Sequence, residues 1–222
     1  MTESENTSFL YPFIESEETD ATSLLDDLAA SARDKAAESA QLQQSSLSEY
    51  GDTLIAAGTK MAERFRRGGR LYTFGNGGSS TDAATLASLF TRPARGRPVA
   101  AWSLAADEAV VTALGNDVGF ELVFARQLIA RAKAGDIAIA MSTSGNSPNL
   151  LTALAEARQR GLYTVGFAGY DGGAFTNNPN VDACFIVRSQ SVHRIQESQA
   201  LLGYQLWSAT QQRSDDRGLG AA

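Results

Sequence analysis

The feature that most constrains this chain is a change of period at Gly68-Gly69. Ahead of it, apolar residues recur every three or four positions. After it, short apolar runs alternate with helical patterns. Five runs read as strands, at 70–74, 99–103, 136–141, 163–168 and 183–187. Helical periodicity fills 79–90, 120–133, 148–160 and 193–212. A strand that is followed each time by a turn and a helix or crossover predicts a parallel, doubly wound sheet. Right-handed crossovers put helices on both faces, which gives an α/β fold of three layers, α/β/α, around five strands. Ligands of such sheets bind beyond the carboxyl ends of the strands, so the loops directly after each strand are the ones to search.

Composition narrows the chemistry. The 222 residues are 43% hydrophobic and 20% charged, the profile of a soluble globular protein. One cysteine, Cys184, and one histidine, His193, exclude a disulfide framework, a zinc finger and any metal site needing several His or Cys from one chain. A Ser-His-Asp triad has only His193 to use. Cys184 lies in an apolar strand and reads as core. The lack of disulfides fits a reducing cytoplasm.

The net charge of −6 is a property of the amino terminus. Residues 1–34 hold nine acids and one base, so they carry −8 and the rest of the chain +2. A nearly neutral body without a basic block argues against nucleic-acid binding. The amino terminus has no positive segment ahead of an apolar stretch, and no run approaches the length of a membrane span. Residues 1–20 read as a mobile acidic tail. Its cluster Phe9-Leu10-Tyr11-Pro12-Phe13-Ile14 is a candidate contact for a protein partner. Residues 21–68 read as two helices, 22–47 and 48–67. Their apolar stripes are too extensive for one sheet face and are expected to pack against another subunit. The α/β domain spans 69–212, and 213–222 reads as a frayed tail.

Two strand-end loops carry the chemistry. The first is Gly75-Asn76-Gly77-Gly78-Ser79-Ser80, between the first strand and a helix. Its glycines allow a sharp turn and close approach to a ligand, and the helix start presents free N–H groups to an anion. A dinucleotide site wants a third glycine where Ser80 stands and an acid after the second strand, which ends Ala101-Trp102-Ser103. A nucleotide P-loop needs a lysine that this loop lacks. The second loop is Ser142-Thr143-Ser144-Gly145-Asn146-Ser147, after the third strand. It has no cation, but neutral donors and a helix start can enclose a phosphate.

With Gly115-Asn116-Asp117 between them, these loops resemble the sugar isomerase (SIS) domain, most closely the sedoheptulose-7-phosphate isomerase (phosphoheptose isomerase) group. Gly169-Tyr170-Asp171-Gly172-Gly173 and Arg194-Ile195-Gln196-Glu197 extend the likeness over about residues 48–210. The resemblance implies a flavodoxin-like five-stranded parallel sheet, a homotetramer and a phosphosugar held at the strand ends. It implies that Ser142, Ser144 and Ser147 bind phosphate, with Thr143, Ser79, Gly77 and Gly78 nearby. It assigns Asn76 and Asp117 to sugar hydroxyls, and gives Gln196 a place in the active site, as a metal ligand in zinc-bound members.

The chain departs from that pattern where the family carries its base and metal ligands. Thr85 and Leu89 stand where the family has a His and, four residues later, a Glu. Tyr204 stands where it has a second His. No zinc site is retained, and no cofactor is expected. Aldose–ketose isomerisation still needs a base at the migrating proton and an acid at the carbonyl. Glu197 and His193 are the candidates, with Glu108 and Asp107 as further acids near the strand ends. His193 also reads as a helix-terminal surface residue, and Glu197 as an ion-pair partner of Arg194 in another subunit. Two functions follow: an isomerase of sedoheptulose 7-phosphate or a related ketose phosphate, and a non-catalytic phosphosugar-sensing or protein-binding scaffold.

Overall fold

The structure is a computed structural model and describes residues 21–215. The acidic tail expected at 1–20 and residues 216–222 lie outside it. The chain divides into two compact units, Met1–Ala40 and Gln41–Ala222. Of the first, residues 21–40 are all helical, with Leu24, Leu25 and Leu28 exposed.

Where two helices were expected, there is one, α1 (Ala21–Arg66). The serines on either side of the expected boundary at 47–48 do not interrupt it. The Ser45 hydroxyl donates back to the Leu42 carbonyl at 2.9 Å, and Ser46 is buried. Serine without a neighbouring Gly or Pro can be carried inside a helix in this way. From Gln41 onward the apolar stripe is spent inside the unit. Tyr50, Leu54, Ala57 and Met61 join the core over one face of the sheet. The apolar residues of α1 that stay exposed, Leu24, Leu25, Leu28 and Ile55, are the ones left for the subunit contact expected of this segment.

The sheet comprises β1 (Leu71–Gly75), β2 (Ala101–Ser103), β3 (Ile137–Met141), β4 (Tyr163–Gly169) and β5 (Ala183–Val187). Its order is β2-β1-β3-β4-β5, and every pairing is parallel. The helices after α1 are α2 (Gly78–Thr91), α3 (Glu108–Asp117), α4 (Val123–Arg131), α5 (Pro148–Gln159) and α6 (Val192–Asp215). Helix α6 runs past the residue where a tail was expected to start. Helix α3 was not expected. Asp107 caps it by accepting from the Val110 N–H at 3.1 Å, but it buries no residue, so it leaves no periodic stripe to read.

Strand alternation builds the two cores. In β3, Ile137, Ile139 and Met141 face α1, α2 and α6, while Ala138 and Ala140 face α4 and α5. The small residues let the second pair of helices approach closely. In β1, Leu71 joins the first cluster, and Tyr72 and Phe74 the second. Cys184, in β5, packs against both clusters, and burial pushes its thiol up to about 11.

Candidate active site

The strand order reverses between β1 and β3, and parallel doubly wound sheets open a crevice at such a point. Gly75 pairs with Met141 in register, so the loops after the two strands leave the sheet at one level. The first turn has no room for a side chain. A Cβ on Gly75 would lie 2.5 Å from the Ser79 carbonyl oxygen and 2.8 Å from that of Met141. Gly77 (φ 52°) then starts α2 without a side-chain cap. Two helix starts, those of α2 and α5, thus face the crevice with N–H groups free of intrahelical partners.

An amide pair ties the loops together. Asn76 Nδ2 donates to Asn149 Oδ1, and Asn149 Nδ2 to Asn76 Oδ1, each at 2.9 Å. Asn149 is buried in the first turn of α5. Sequence reasoning missed it because its partner is 73 positions away. Within the second loop, Ser142 Oγ accepts from the Gly145 N–H at 2.9 Å, and Ser144 Oγ from the Asn146 N–H at 3.3 Å. Ser147 caps α5 through its carbonyl, which accepts from Leu150 and Leu151 at 3.1 Å; its hydroxyl makes no cap bond.

The second loop is braced from two sides. Gly145 (φ 67°) lies against the loop after β4 so tightly that a Cβ would come within 2.1 Å of the Gly172 carbonyl oxygen. There Asn146 Oδ1 accepts from the Ala174 N–H at 2.8 Å, and the Thr143 carbonyl from the Gly169 N–H at 2.8 Å. From α6, Gln199 Nε2 donates to the Ser142 carbonyl at 2.7 Å. Gln199 is fully buried, and was also missed.

Gln196 crosses from α6 to α2. Its Nε2 donates to Asp82 Oδ2 at 2.9 Å, and a Cβ on Gly78 would meet that same nitrogen at 2.5 Å. Asp82 is a third residue the sequence did not single out. His193, Gln196 and Glu197 share an i, i+3, i+4 ridge of α6, with Gln196 half-buried and the other two exposed. The chain thus brings Asn76, Gly77, Gly78 and Ser79 together with 142–147 and Gln196. Among the described residues it pairs Asp117 with Asn116, whose Nδ2 donates to Asp117 Oδ1 at 2.8 Å at the exposed end of α3. Asp107 is occupied as the α3 cap.

The positions where the resemblance implied zinc ligands hold other chemistry. The Thr85 hydroxyl donates to the Thr81 carbonyl at 3.0 Å. Leu89 packs against the core. The Tyr204 hydroxyl accepts from Arg95 Nη2 at 3.2 Å, and its ring lies 5.3 Å from that of Trp207. A threonine, a leucine, a tyrosine and an amide already bonded to Asp82 do not fit Zn²⁺, which takes thiolate, imidazole and carboxylate donors.

The SIS domain model matches residues 36–169, more than half of the chain. The chain belongs to the SIS domain family. It is 42% identical over 173 residues to a phosphoheptose isomerase of Paramagnetospirillum magneticum, covering 72% of this chain and 89% of that protein. It is 37% identical over 173 residues to one from Aquifex aeolicus, covering 76% and 88%. Among solved structures, phosphoheptose isomerase from Neisseria gonorrhoeae superposes with a TM-score of 0.76 at 31% identity, over 82% of this chain and 98% of that one. The one from Francisella tularensis gives 0.71 at 28% identity, with the same coverage. No helix among the described residues is long and apolar enough to cross a membrane.

Proposed function

We propose that this protein binds a ketose phosphate of the sedoheptulose 7-phosphate kind in the crevice between β1 and β3 and isomerises it. The observation that carries the reading is the reciprocal Asn76–Asn149 pair, which locks two anion-accepting loops across the switch point. In this reading the phosphate sits against Ser144, Ser147, Thr143 and the start of α5, with Ser142 shaping the turn. Ser79 and the start of α2 complete the enclosure. Asn76 and Gln196 face the sugar hydroxyls, and Asp117 contributes to them once substrate is bound.

The reaction moves one proton from one carbon to its neighbour while the hydroxyl and carbonyl exchange places. No electrons are gained or lost. Glu197 takes the carbon-bound proton and returns it to the adjacent carbon. His193 gives a proton to the carbonyl oxygen and recovers one from the hydroxyl. Their shared ridge on α6 beside Gln196 supports these roles. The protein works without bound zinc, as a cytoplasmic homotetramer.

Incubation with sedoheptulose 7-phosphate, with and without zinc, followed by anomeric NMR, tests the reading. Turnover without added metal that falls at least a hundredfold in Glu197→Gln is expected, since general base catalysis contributes about 10²–10⁴-fold. Binding without turnover would overturn the isomerase and leave the phosphosugar-sensing scaffold.

A further inference from the structure

A concave surface lies at the opposite end of the sheet from the crevice. The residues that lead into β1, β3 and β4, with the carboxyl-terminal turns of α1 and α5, enclose a cleft of about 550 Å³. Its walls carry five cations, Lys60, Arg64, Arg67, Lys133 and Arg158, against two acids, Glu63 and Asp182. The local charge is therefore +3.

Most of that excess is not neutralised inside the protein. Arg158 pairs with Asp182, and Asp182 is further occupied by the Thr164 N–H and hydroxyl at 3.0 and 3.1 Å. Arg64 and Lys60 lie over the Tyr163 ring, at 5.6 and 5.5 Å from its centroid. Among the described residues, no carboxylate lies within ion-pair distance of Lys60, Arg64, Arg67 or Lys133. The partial negative charge of helix carboxyl termini accounts for cations in a last turn, but it fades within that turn. Lys60 lies six residues before the end of α1, and Lys133 lies beyond the end of α4. The floor is backbone. Gly69 and Gly135 meet there so closely that a Cβ on Gly69 would lie 2.6 Å from the Gly135 carbonyl oxygen, while Gly135 itself faces open space.

We propose that this cleft is a second binding site, for a small organic diphosphate. Two linked phosphoryl groups carry about −3 at neutral pH, which matches the charge of the walls, and the volume is that of a small-molecule site and far exceeds one phosphate ion. The site is separate from the phosphosugar crevice and does not rest on the isomerase reading. Because four of its five cations, all but Arg64, are exposed, occupancy is strongly dependent on salt.

Calorimetric titration of the full chain with ADP, inorganic pyrophosphate and inorganic phosphate tests it. ADP and pyrophosphate are expected to bind, phosphate at least tenfold more weakly, and all of them less tightly as salt rises. Lys133→Glu with Arg67→Glu is expected to lower the ADP affinity at least tenfold. Ser144→Ala with Ser147→Ala is expected to leave it unchanged. Lys60→Gln provides a milder variant, with a loss of several-fold. Absence of ADP and pyrophosphate binding at about 1 mM would overturn the proposal. So would ADP binding that is lost in the serine pair and kept in the charge reversals, which would place the anion in the crevice.

Discussion

At the carboxyl end of the sheet the chain presents hydroxyls, amides and backbone N–H groups in closely packed loops. At the amino end it presents five cations around an open cleft. The first end is built by close approach. Gly75, Gly145 and Gly173 would each place a Cβ within 2.5 Å of a backbone oxygen. The second end is built from long side chains over a backbone floor. One end fixes the position of neutral dipoles, whose strength depends on geometry, and the other gathers charge, which acts over a Debye length and tolerates movement. Geometry should therefore dominate mutational effects at the first end and charge at the second.

Matched glycine substitutions test that difference with the largest expected effect. Gly145 and Gly135 both have positive φ, 67° and 94°. Alanine at either strains the backbone by about 1–2 kcal/mol. At Gly145 the new methyl also meets the Gly172 carbonyl oxygen at 2.1 Å, whereas at Gly135 it meets nothing within 4 Å. Adding about 1–3 kcal/mol for the forced shift, Gly145→Ala should cost about 2–5 kcal/mol and Gly135→Ala only the strain. Thermal melts should show a fall of about 10 °C for the first and a few degrees for the second. Equal losses would break the contrast between the ends.

The next effect falls on the amide pair. Asn149→Leu removes both bonds to Asn76 and leaves that half-buried amide without a partner, at a cost of about 2–3 kcal/mol. It should also weaken phosphosugar binding, because the two loops lose their tie. A melt that drops while calorimetric affinity stays constant would show the pair to be structural only.

How far this end of the molecule was legible in sequence follows from what each residue needs. The loops at 75–80 and 142–147 announced themselves through glycines and hydroxyls packed into a few positions, and β5 lies where its apolar run placed it. Asn149, Asp82 and Gln199 were not legible. Each looks like an ordinary helix residue, and its partner comes from a distant segment that only the fold brings near. The break expected at 47–48 does not occur, because the serines there are carried within a helix whose other face is committed to the core. The amino-terminal cleft was invisible for the same reason as Asn149. Its cations are scattered from residue 60 to residue 158, and a nearly neutral total hides them.

A smaller effect separates hydroxyl donors from charge. Ser144→Ala with Ser147→Ala should weaken sedoheptulose 7-phosphate binding about tenfold, the equivalent of about 1.4 kcal/mol. That loss should be nearly independent of salt, since neutral donors are removed and no counter-ions are involved. Calorimetry at low and high ionic strength measures both. Unchanged affinity would remove the second loop from the phosphate site.

The smallest effect belongs to the amino end and reads its charge through pH. Tyr163 forms part of the cleft wall, and its hydroxyl is pushed up from 10.0 to about 12, first by burial and then by the Asp182 carboxylate, with Arg64 opposing. In the unfolded chain this phenol releases its proton near pH 10, whereas in the folded protein it holds the proton to about pH 12. The unfolded state therefore binds fewer protons across that window. The stability contributed is complete below pH 10 and is lost as pH rises through 12. At the foot of the window the loss is below about 1 kcal/mol. Tyr163→Phe removes the titrating group and should flatten this part of the alkaline stability curve. Arg64→Gln takes the opposing cation from over the ring and should steepen its onset by keeping the folded-state phenol protonated to higher pH. If Tyr163→Phe retains the full alkaline slope, the titration arises elsewhere and the cations do not act on this wall of the cleft.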